Sequence, residues 1–389
     1  MKVIVDVIAV QQPLTGVGRY EHRLAKGLEN SSAVNEIKFF STLGWLENFD
    51  YPNEQPNAGI KAPSTMSNIK SILRKNALVE RMARKGFHTY RNRQFQRLTL
   101  GLEDFIFHGP NFQLMPFSGK SVVTIHDLSF LRHPEFHPKE RVLFWQSEIH
   151  KVVKRADQII TDSEFQRQEI IELLDVAETS VNAVHLGVEP KFRVYSEQDC
   201  QASLDKYGLA FKAFNLVVAT VEPRKNFKRL LKAFQSLPVA VRKAYPLAVV
   251  GDKGWLSDDI HQMIATLENG NEAVSLGYVD ELDLPKLYSA AAIFVYPSLY
   301  EGFGLPVLEA MASGIAVLTS NTTSIPEVAG DACVLVDPLS IEDITDKWLD
   351  LLESDECRKM MSSKGQERAK LFSWEACIQN TIDVYSKLV

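Results

Sequence analysis

A chain of 389 residues is too long for one ordinary hydrophobic core, so two domains are expected. Apolar residues make up 45% and charged residues 24%, the balance of a water-soluble globular protein, and a net charge of −6 argues against general nucleic-acid binding. The charge is uneven: residues 1–195 hold 25 basic and 22 acidic groups, the rest 18 and 27. Cys200, Cys333, Cys357 and Cys377 are scattered, without a Cys-x-x-Cys or a histidine cluster, as expected for reduced thiols rather than a zinc site or disulfide framework. The start, Met1-Lys2-Val3-Ile4-Val5-Asp6, is broken by an acid and followed by Gln11 and Gln12, so no signal peptide is read. No apolar run approaches the roughly 18 residues of a spanning helix. A cytoplasmic protein, able to lie at the inner face of a membrane, is the expectation.

Lys2 to Val10 reads as a strand covered on both faces. Gln11 to Gly18 read as a loop and Val17 to Leu28 as a helix. The overlap, Gly16-Val17-Gly18-Arg19-Tyr20-Glu21, begins like a dinucleotide fingerprint, but Glu21 occupies the third glycine position and the preceding loop is long. A nicotinamide or flavin site is therefore the weaker reading. Two glycines at a strand-to-helix turn still suit the close approach of a ligand to backbone. Pro52, Pro56 and Pro63 mark a loop, followed by a basic helical stretch at 61–97 in which Glu80 is the single acid among ten Lys and Arg. It fits a helix lying on an anionic membrane or acidic acceptor, and equally a solvated helix covering the sheet.

Strands resume at Asp104–His108, Ser121–His126, Gln158–Thr161 and Val181–Leu186, with a long helix from about Lys139 to Arg155. Thr124-Ile125-His126-Asp127 puts His126 at the carboxyl edge of the sheet, where open α/β folds bind ligands; a structural role is the alternative. Asp162-Ser163 reads as a helix cap. Residues 190–213 are polar and read as an irregular linker. The alternation then restarts with strands at Asn215–Val221, Leu247–Val250, Ala273–Leu276, Ile293–Tyr296, Ala316–Ser320 and Cys333–Val336, and ends in helical segments near 341–353, 355–370 and 374–388. This is an α/β chain of two doubly wound domains facing a cleft.

Candidate ligand groups fall at the carboxyl ends of second-half strands. Pro297-Ser298-Leu299-Tyr300-Glu301-Gly302-Phe303-Gly304-Leu305-Pro306 passes from strand through a glycine turn to a helix start, a ready seat for a phosphate. Glu301 and Glu309 flank that turn; beside a phosphate, carboxylates suit hydroxyls rather than more anion. Arg224 and Lys225, side by side after a strand, suit the charges of a diphosphate. Surface charge near a helix start is the alternative, although cations there oppose the helix dipole. Gly251 and Gly277-Tyr278-Val279 could admit a flat base against backbone.

Read together, Gly16-Val17-Gly18-Arg19-Tyr20, His126-Asp127, Asp162-Ser163-Glu164-Phe165, Glu222-Pro223-Arg224-Lys225-Asn226, Gly277-Tyr278-Val279, Pro297 to Gly314 and Pro326-Glu327 resemble the retaining glycosyltransferases of family 4 with the GT-B architecture. The resemblance implies a first domain over 1–195, joined by the last helix at about 374–389 crossing back, and a donor domain over 196–373. It implies that Arg224 and Lys225 hold the donor diphosphate and that Glu301 binds sugar hydroxyls. Gly302, Phe303, Gly304 and Leu305 would contact sugar and phosphate, and Glu309 would accept from ribose hydroxyls. His126 would approach the transferred sugar, the Gly16–Gly18 loop would lie near the donor phosphate and the acceptor, and Gly277, Tyr278 and Val279 would border the base. No cofactor or divalent metal is implied, because Arg, Lys and the helix terminus neutralise the diphosphate.

The stretch from His133-Pro134-Glu135-Phe136-His137-Pro138 through Phe165 is similar to bacterial mannosyl- and rhamnosyltransferases of O-antigen assembly. That implies GDP-mannose or a GDP-deoxyhexose as donor and a saccharide or polyprenyl-diphosphate-linked oligosaccharide as acceptor. A UDP-sugar donor, or a non-catalytic sugar-nucleotide-binding subunit, is the alternative.

Overall fold

A computed structural model of the chain describes residues 1–8, 10, 16–42, 44–46 and 77–389. The apolar runs form two sheets. The first holds β1 (Lys2–Asp6), β2 (Glu36–Ser41), β3 (Gly44–Leu46), β4 (Ile106–Gly109), β5 (Lys120–Thr124), β6 (Gln158–Thr161) and β7 (Val181–Ala183), ordered β3-β2-β1-β4-β5-β6-β7. All its pairs are parallel except β2 with β3. The second holds β8 (Asn215–Val218), β9 (Leu247–Val250), β10 (Ala273–Gly277), β11 (Ile293–Tyr296), β12 (Ala316–Ser320) and β13 (Val334–Val336), ordered β10-β9-β8-β11-β12-β13 and wholly parallel.

Parallel strands bury both faces, which is why these stretches are nearly all apolar. In β1, Val3 and Val5 join one core cluster and Ile4 the opposite one. The Val3 side continues through Leu186, Phe192 and Trp374 to Phe294 and Met311, so apolar packing runs unbroken between the two sheets. The last helix, Trp374–Ser386, crosses back onto the first domain. Its Tyr385 hydroxyl meets His108 Nδ1 at 2.6 Å, and a methyl added at Gly27 would strike its Ile378.

Several boundaries differ from expectation. β1 ends at Asp6 rather than Val10, and the Asp6 carboxylate is buried in an ion pair with Arg91 Nη2 at 2.6 Å. The helix expected from Val17 begins at Gly16, so Gly16 and Gly18 lie in its first turn rather than in a loop. β2 and β3 were not anticipated; the available signal was the cluster Ile37, Phe39 and Phe40. The expected irregular linker contains the helix Glu197–Tyr207, nucleated by a Ser196–Asp199 capping box and closed by Gly208 at φ 65°.

Of the basic stretch 61–97, residues 61–76 lie outside the described residues, and Ala77–Leu98 is a helix. Phe95 and Arg91 of that helix are core groups, with Phe95 packed on Phe40 and Phe107. Arg91 is thus not one of the surface cations the pattern suggested. No helix among the described residues is long and apolar enough to cross a membrane.

Candidate active site

Both sheets reverse direction at their middle. In the second, the chain runs outward from β8 to β9 and β10, then returns to β11 on the other side of β8. Loops leaving β8 and β11 therefore diverge and open a crevice at their carboxyl ends. The first delivers Glu222, Arg224 and Lys225, the second Glu301 to Gly304.

Arg224 and Lys225 occupy a short turn, Pro223–Lys225, closed by Asn226 at φ 60°. Asn226 Nδ2 donates to the carbonyls of Pro297 at 2.9 Å and Pro338 at 2.7 Å, which ties this turn to the loop after β11. Glu301 sits between the two cations: Lys225 Nζ donates to Oε1 at 2.7 Å and Arg224 Nη1 to Oε2 at 3.2 Å. Lys225 also donates to the Tyr296 hydroxyl at 2.7 Å, and Arg224 to the Tyr300 carbonyl at 3.0 Å and to Glu222 Oε1 through Nε and Nη2. Lysine carries three N–H donors and arginine five, so two and four hydrogen bonds leave donor capacity on each.

The electrostatics follow from burial and proximity. Burial opposes the Arg224 charge, yet Glu301, Asp127 and Glu222 raise its pKa. Burial and Arg224 push Lys225 below its ordinary value, against the pull of Glu301. Burial would raise Glu301, but Lys225 and Arg224 bring it below the usual carboxylate range. The two cations are thus held together by one shared carboxylate.

His126 lies at this seam, just beyond β5, but its ring is fully engaged within the first domain. Nδ1 meets Asp162 Oδ2 at 2.8 Å and Nε2 meets the Pro110 carbonyl at 3.0 Å. Burial works against its charge, but Asp162 and the Pro110 carbonyl raise its pKa above the ordinary value. The part of His126 that meets the second domain is its backbone: a methyl on Gly302 would fall 2.0 Å from the His126 carbonyl oxygen. Ser163 Oγ donates to the Gly302 carbonyl at 2.8 Å, also across the seam.

Glu309, in the helix Leu305–Ala312, is buried and accepts from Arg19 Nη1 at 3.1 Å and from the Tyr288 hydroxyl at 3.0 Å. Gly304 precedes that helix at φ 102°, and Phe303 packs in the core beside Phe372. Gly251, at φ 140°, would place a methyl 1.9 Å from the Ala219 carbonyl, so backbone packing alone demands glycine there. Gly277, at φ 59°, has open space beside it among the described residues; Tyr278 is half exposed and Val279 buried. Gly16 and Gly18 lie in the first turn of the helix that carries Arg19, the residue of that turn whose side chain reaches Glu309.

Sequence reasoning missed several residues that close the seam. The Tyr300 hydroxyl donates to Glu169 and receives Gln166 Nε2 at 2.7 Å and the Leu128 amide at 3.2 Å. Glu327 accepts the amides of Glu164 at 2.9 Å and Phe165 at 3.1 Å and meets His185 Nε2 at 2.6 Å. Trp255 Nε1 donates to the Phe136 carbonyl at 2.6 Å. Tyr300, Glu327 and the 133–138 stretch all stood inside recognisable motifs, as did Glu164 and Phe165; what the sequence could not show was the pairing of these segments, more than a hundred positions apart. Among the described residues no group of three or more His, Cys, Asp and Glu is placed to hold a metal ion.

The geometry agrees with what comparison with known proteins finds. The family model of the glycosyl transferases group 1 matches residues 208–368. The solved structure of WaaG, a glycosyltransferase involved in lipopolysaccharide biosynthesis, superposes with a TM-score of 0.73 at 15% identity, covering 98% of this chain and 99% of that one. HepE of Anabaena, in complex with UDP and glucose, superposes with a TM-score of 0.69 at 16% identity over the whole of both chains. These two carry the fold, GT-B. The chain belongs to the group 1 glycosyltransferase family. It is 37% identical to O-antigen chain mannosyltransferase B of Escherichia coli over 391 residues, covering 100% of each protein. It is also 32% identical over 282 residues to the serotype-specific mannosyltransferase WbdA of Escherichia coli, covering 69% of this chain and 34% of that one.

Proposed function

We propose that this glycosyltransferase moves a mannosyl group, or a related deoxyhexose, from a GDP-sugar to a saccharide or polyprenyl-linked oligosaccharide acceptor of O-antigen synthesis, with retention at the anomeric carbon. The observation that carries the reading is Glu301 held between Arg224 and Lys225 at the switch point of the second sheet. One carboxylate for sugar hydroxyls and two cations with spare donors for a diphosphate lie within hydrogen-bond reach of one another. The relatives named as mannosyltransferases support the sugar and, through it, the donor base.

In this reading the donor diphosphate takes the free donors of Arg224 and Lys225, and the charge that grows on the leaving nucleoside diphosphate is met by groups already in place. Glu301, relieved of part of its ion pairing, accepts from the sugar hydroxyls. The acceptor hydroxyl attacks the face from which the diphosphate departs, and a β-phosphate oxygen takes its proton, so no protein nucleophile is required. His126 contributes by fixing the loop that Gly302 rests on, and the closed seam keeps water from the donor.

A thermal-shift panel of GDP-, UDP-, ADP- and dTDP-sugars tests the donor. Stabilisation by GDP-mannose or a GDP-deoxyhexose alone is the expected outcome; a shift with UDP-sugars alone overturns the base assignment, and no shift with any overturns the catalytic reading. Because Arg224 and Lys225 supply the counter-charge, transfer is expected to continue at an unchanged rate in excess EDTA. A rate that collapses on chelation and returns with a divalent cation overturns the metal-independent mechanism.

A further inference from the structure

The two carboxylates of the site differ in where their partners come from. Glu301 is held by its own domain, whereas Glu309 is held across the seam by Arg19, in the first turn of the helix Gly16–Glu29. Arg19 Nη1 and the Tyr288 hydroxyl take the two oxygens of Glu309 separately, at 3.1 and 3.0 Å, so the carboxylate is fixed in orientation as well as in place. Arg19 is itself largely buried. Its Nη2 lies 4.0 Å from Glu281, just past the Gly277-Tyr278-Val279 segment, and its Nε is buried without a hydrogen-bond partner among the described residues. One guanidinium thus reaches from the first domain to both parts of the second that the family resemblance gives to the nucleoside.

We propose that Arg19 is a positioning residue for nucleotide recognition, aiming the Glu309 carboxylate from across the seam so that it grips the ribose diol only when the two domains are together. The proposal rests on the reading of Glu309 as the ribose acceptor. Its physical core is that a ribose diol is best held by a charged carboxylate with two acceptor oxygens. Burial raises the Glu309 carboxyl above its ordinary value; Arg19 and the Tyr288 hydroxyl hold the rise down, Glu189 adds to it, and Lys191 opposes it. Glu189 is in turn tied to Arg23 at 3.2 Å and Lys191 at 3.1 Å, and Lys191 to Glu281 at 3.2 Å. Arg19 is the counter-ion in direct contact with Glu309. Without it the acid stands buried beside Glu189 and takes up a proton at higher pH, losing one of its acceptor oxygens.

The test is calorimetric binding of GDP and UDP, each against its 2′-deoxy counterpart, to the wild type, Arg19→Met and Arg19→Lys. It is run over a pH series from about pH 6 to pH 9, because burial raises the Glu309 carboxyl. The wild type is expected to prefer the ribonucleotide at least about tenfold, as suits charge-assisted hydrogen bonds, and to hold that preference to lower pH than Arg19→Met. Arg19→Met should lose most of that preference near pH 6 and regain part of it as the pH rises, while binding the deoxynucleotide within about twofold of wild type. Arg19→Lys should restore much of the preference. If the wild type itself does not distinguish ribose from deoxyribose, the ribose reading of Glu309 falls. If the wild type distinguishes them and Arg19→Met keeps the same ratio at every pH, that reading stands and the role of Arg19 is overturned. Equal loss for both nucleotides likewise overturns it, because the guanidinium would then act on the diphosphate or the fold.

Discussion

Arg224→Met and Lys225→Met are each expected to cost about 2 kcal/mol or more of transition-state stabilisation, a fall in kcat/KM of roughly thirtyfold. Methionine keeps the apolar stem of each buried side chain, so the packing loss is small and the missing charge dominates. The single variants are cleaner than the double one. Arg224→Met leaves Lys225 on Glu301 at 2.7 Å, and Lys225→Met leaves Arg224 at 3.2 Å, so neither strands Glu301; Arg224→Met does remove the guanidinium from buried Glu222, so Lys225→Met is the cleaner of the two and the thermal stability of Arg224→Met is read beside its turnover. Removing both cations would strand it, and breaking a buried pair typically costs about 3–5 kcal/mol of stability, which would blur folding with catalysis. The ion cluster also has a pH signature. Glu301 titrates below its ordinary value of 4.5 when folded, so the stability it contributes is present above that value and is lost as the pH falls through the folded pKa. Acid unfolding of either variant should begin at higher pH than in the wild type, because each has lost one of the charges that depresses Glu301. Wild-type turnover in both variants would sink the diphosphate assignment.

What could be read from the chain beforehand was what local chemistry determines. β9, β11 and β12 fall where the apolar runs Leu247–Val250, Ile293–Tyr296 and Ala316–Ser320 placed them, since a strand buried on both faces needs an unbroken run. The Ser163 cap is likewise present, its hydroxyl accepting the Gln166 amide at 3.2 Å. The helix Glu197–Tyr207 was equally legible in its Ser196–Asp199 box and Gly208, but its polar surface disguised it as linker. The site divides the same way. Most ligand-type residues stood at or shortly after a strand's carboxyl end and could be named. That Glu301 would bridge Arg224 and Lys225, that His126 would turn both ring nitrogens inward, or that Arg19 would cross the seam to Glu309 could not be named. Those facts arise from contacts between segments as much as 290 positions apart, which no local pattern encodes. They also change the meaning of the motif around Glu301. Its two carboxylates are engaged by three cations, so under the proposed function binding a nucleotide sugar there is an exchange of partners rather than the filling of an acidic seat.

Gly302→Ala is expected to cost more than its size suggests, on the order of a hundredfold in kcat/KM, or about 2.7 kcal/mol. The cause is the seam rather than the backbone. Gly302 does not adopt a left-handed φ, so alanine brings no local strain of the kind it would meet at Gly304, where φ is 102°. Its methyl would instead fall 2.0 Å from the His126 carbonyl oxygen and 3.2 Å from Asp127 Cβ, and the first of these atoms is main chain that no rotamer change can move aside. Relief requires the loop after β11 and the loop after β5 to separate by on the order of 1 Å, a displacement large enough to cost about a hundredfold when it misplaces reacting groups. The Ser163–Gly302 hydrogen bond, 2.8 Å long, would lengthen with it. The second sheet keeps Arg224, Lys225, Glu301 and the helix start, so nucleoside diphosphate affinity should fall far less than turnover, and small-angle scattering should report a slightly larger particle. Transfer at the wild-type rate from a Gly302→Ala protein of unchanged dimensions would show that the contact between Gly302 and His126 is dispensable, and that the chemistry does not need the closed seam.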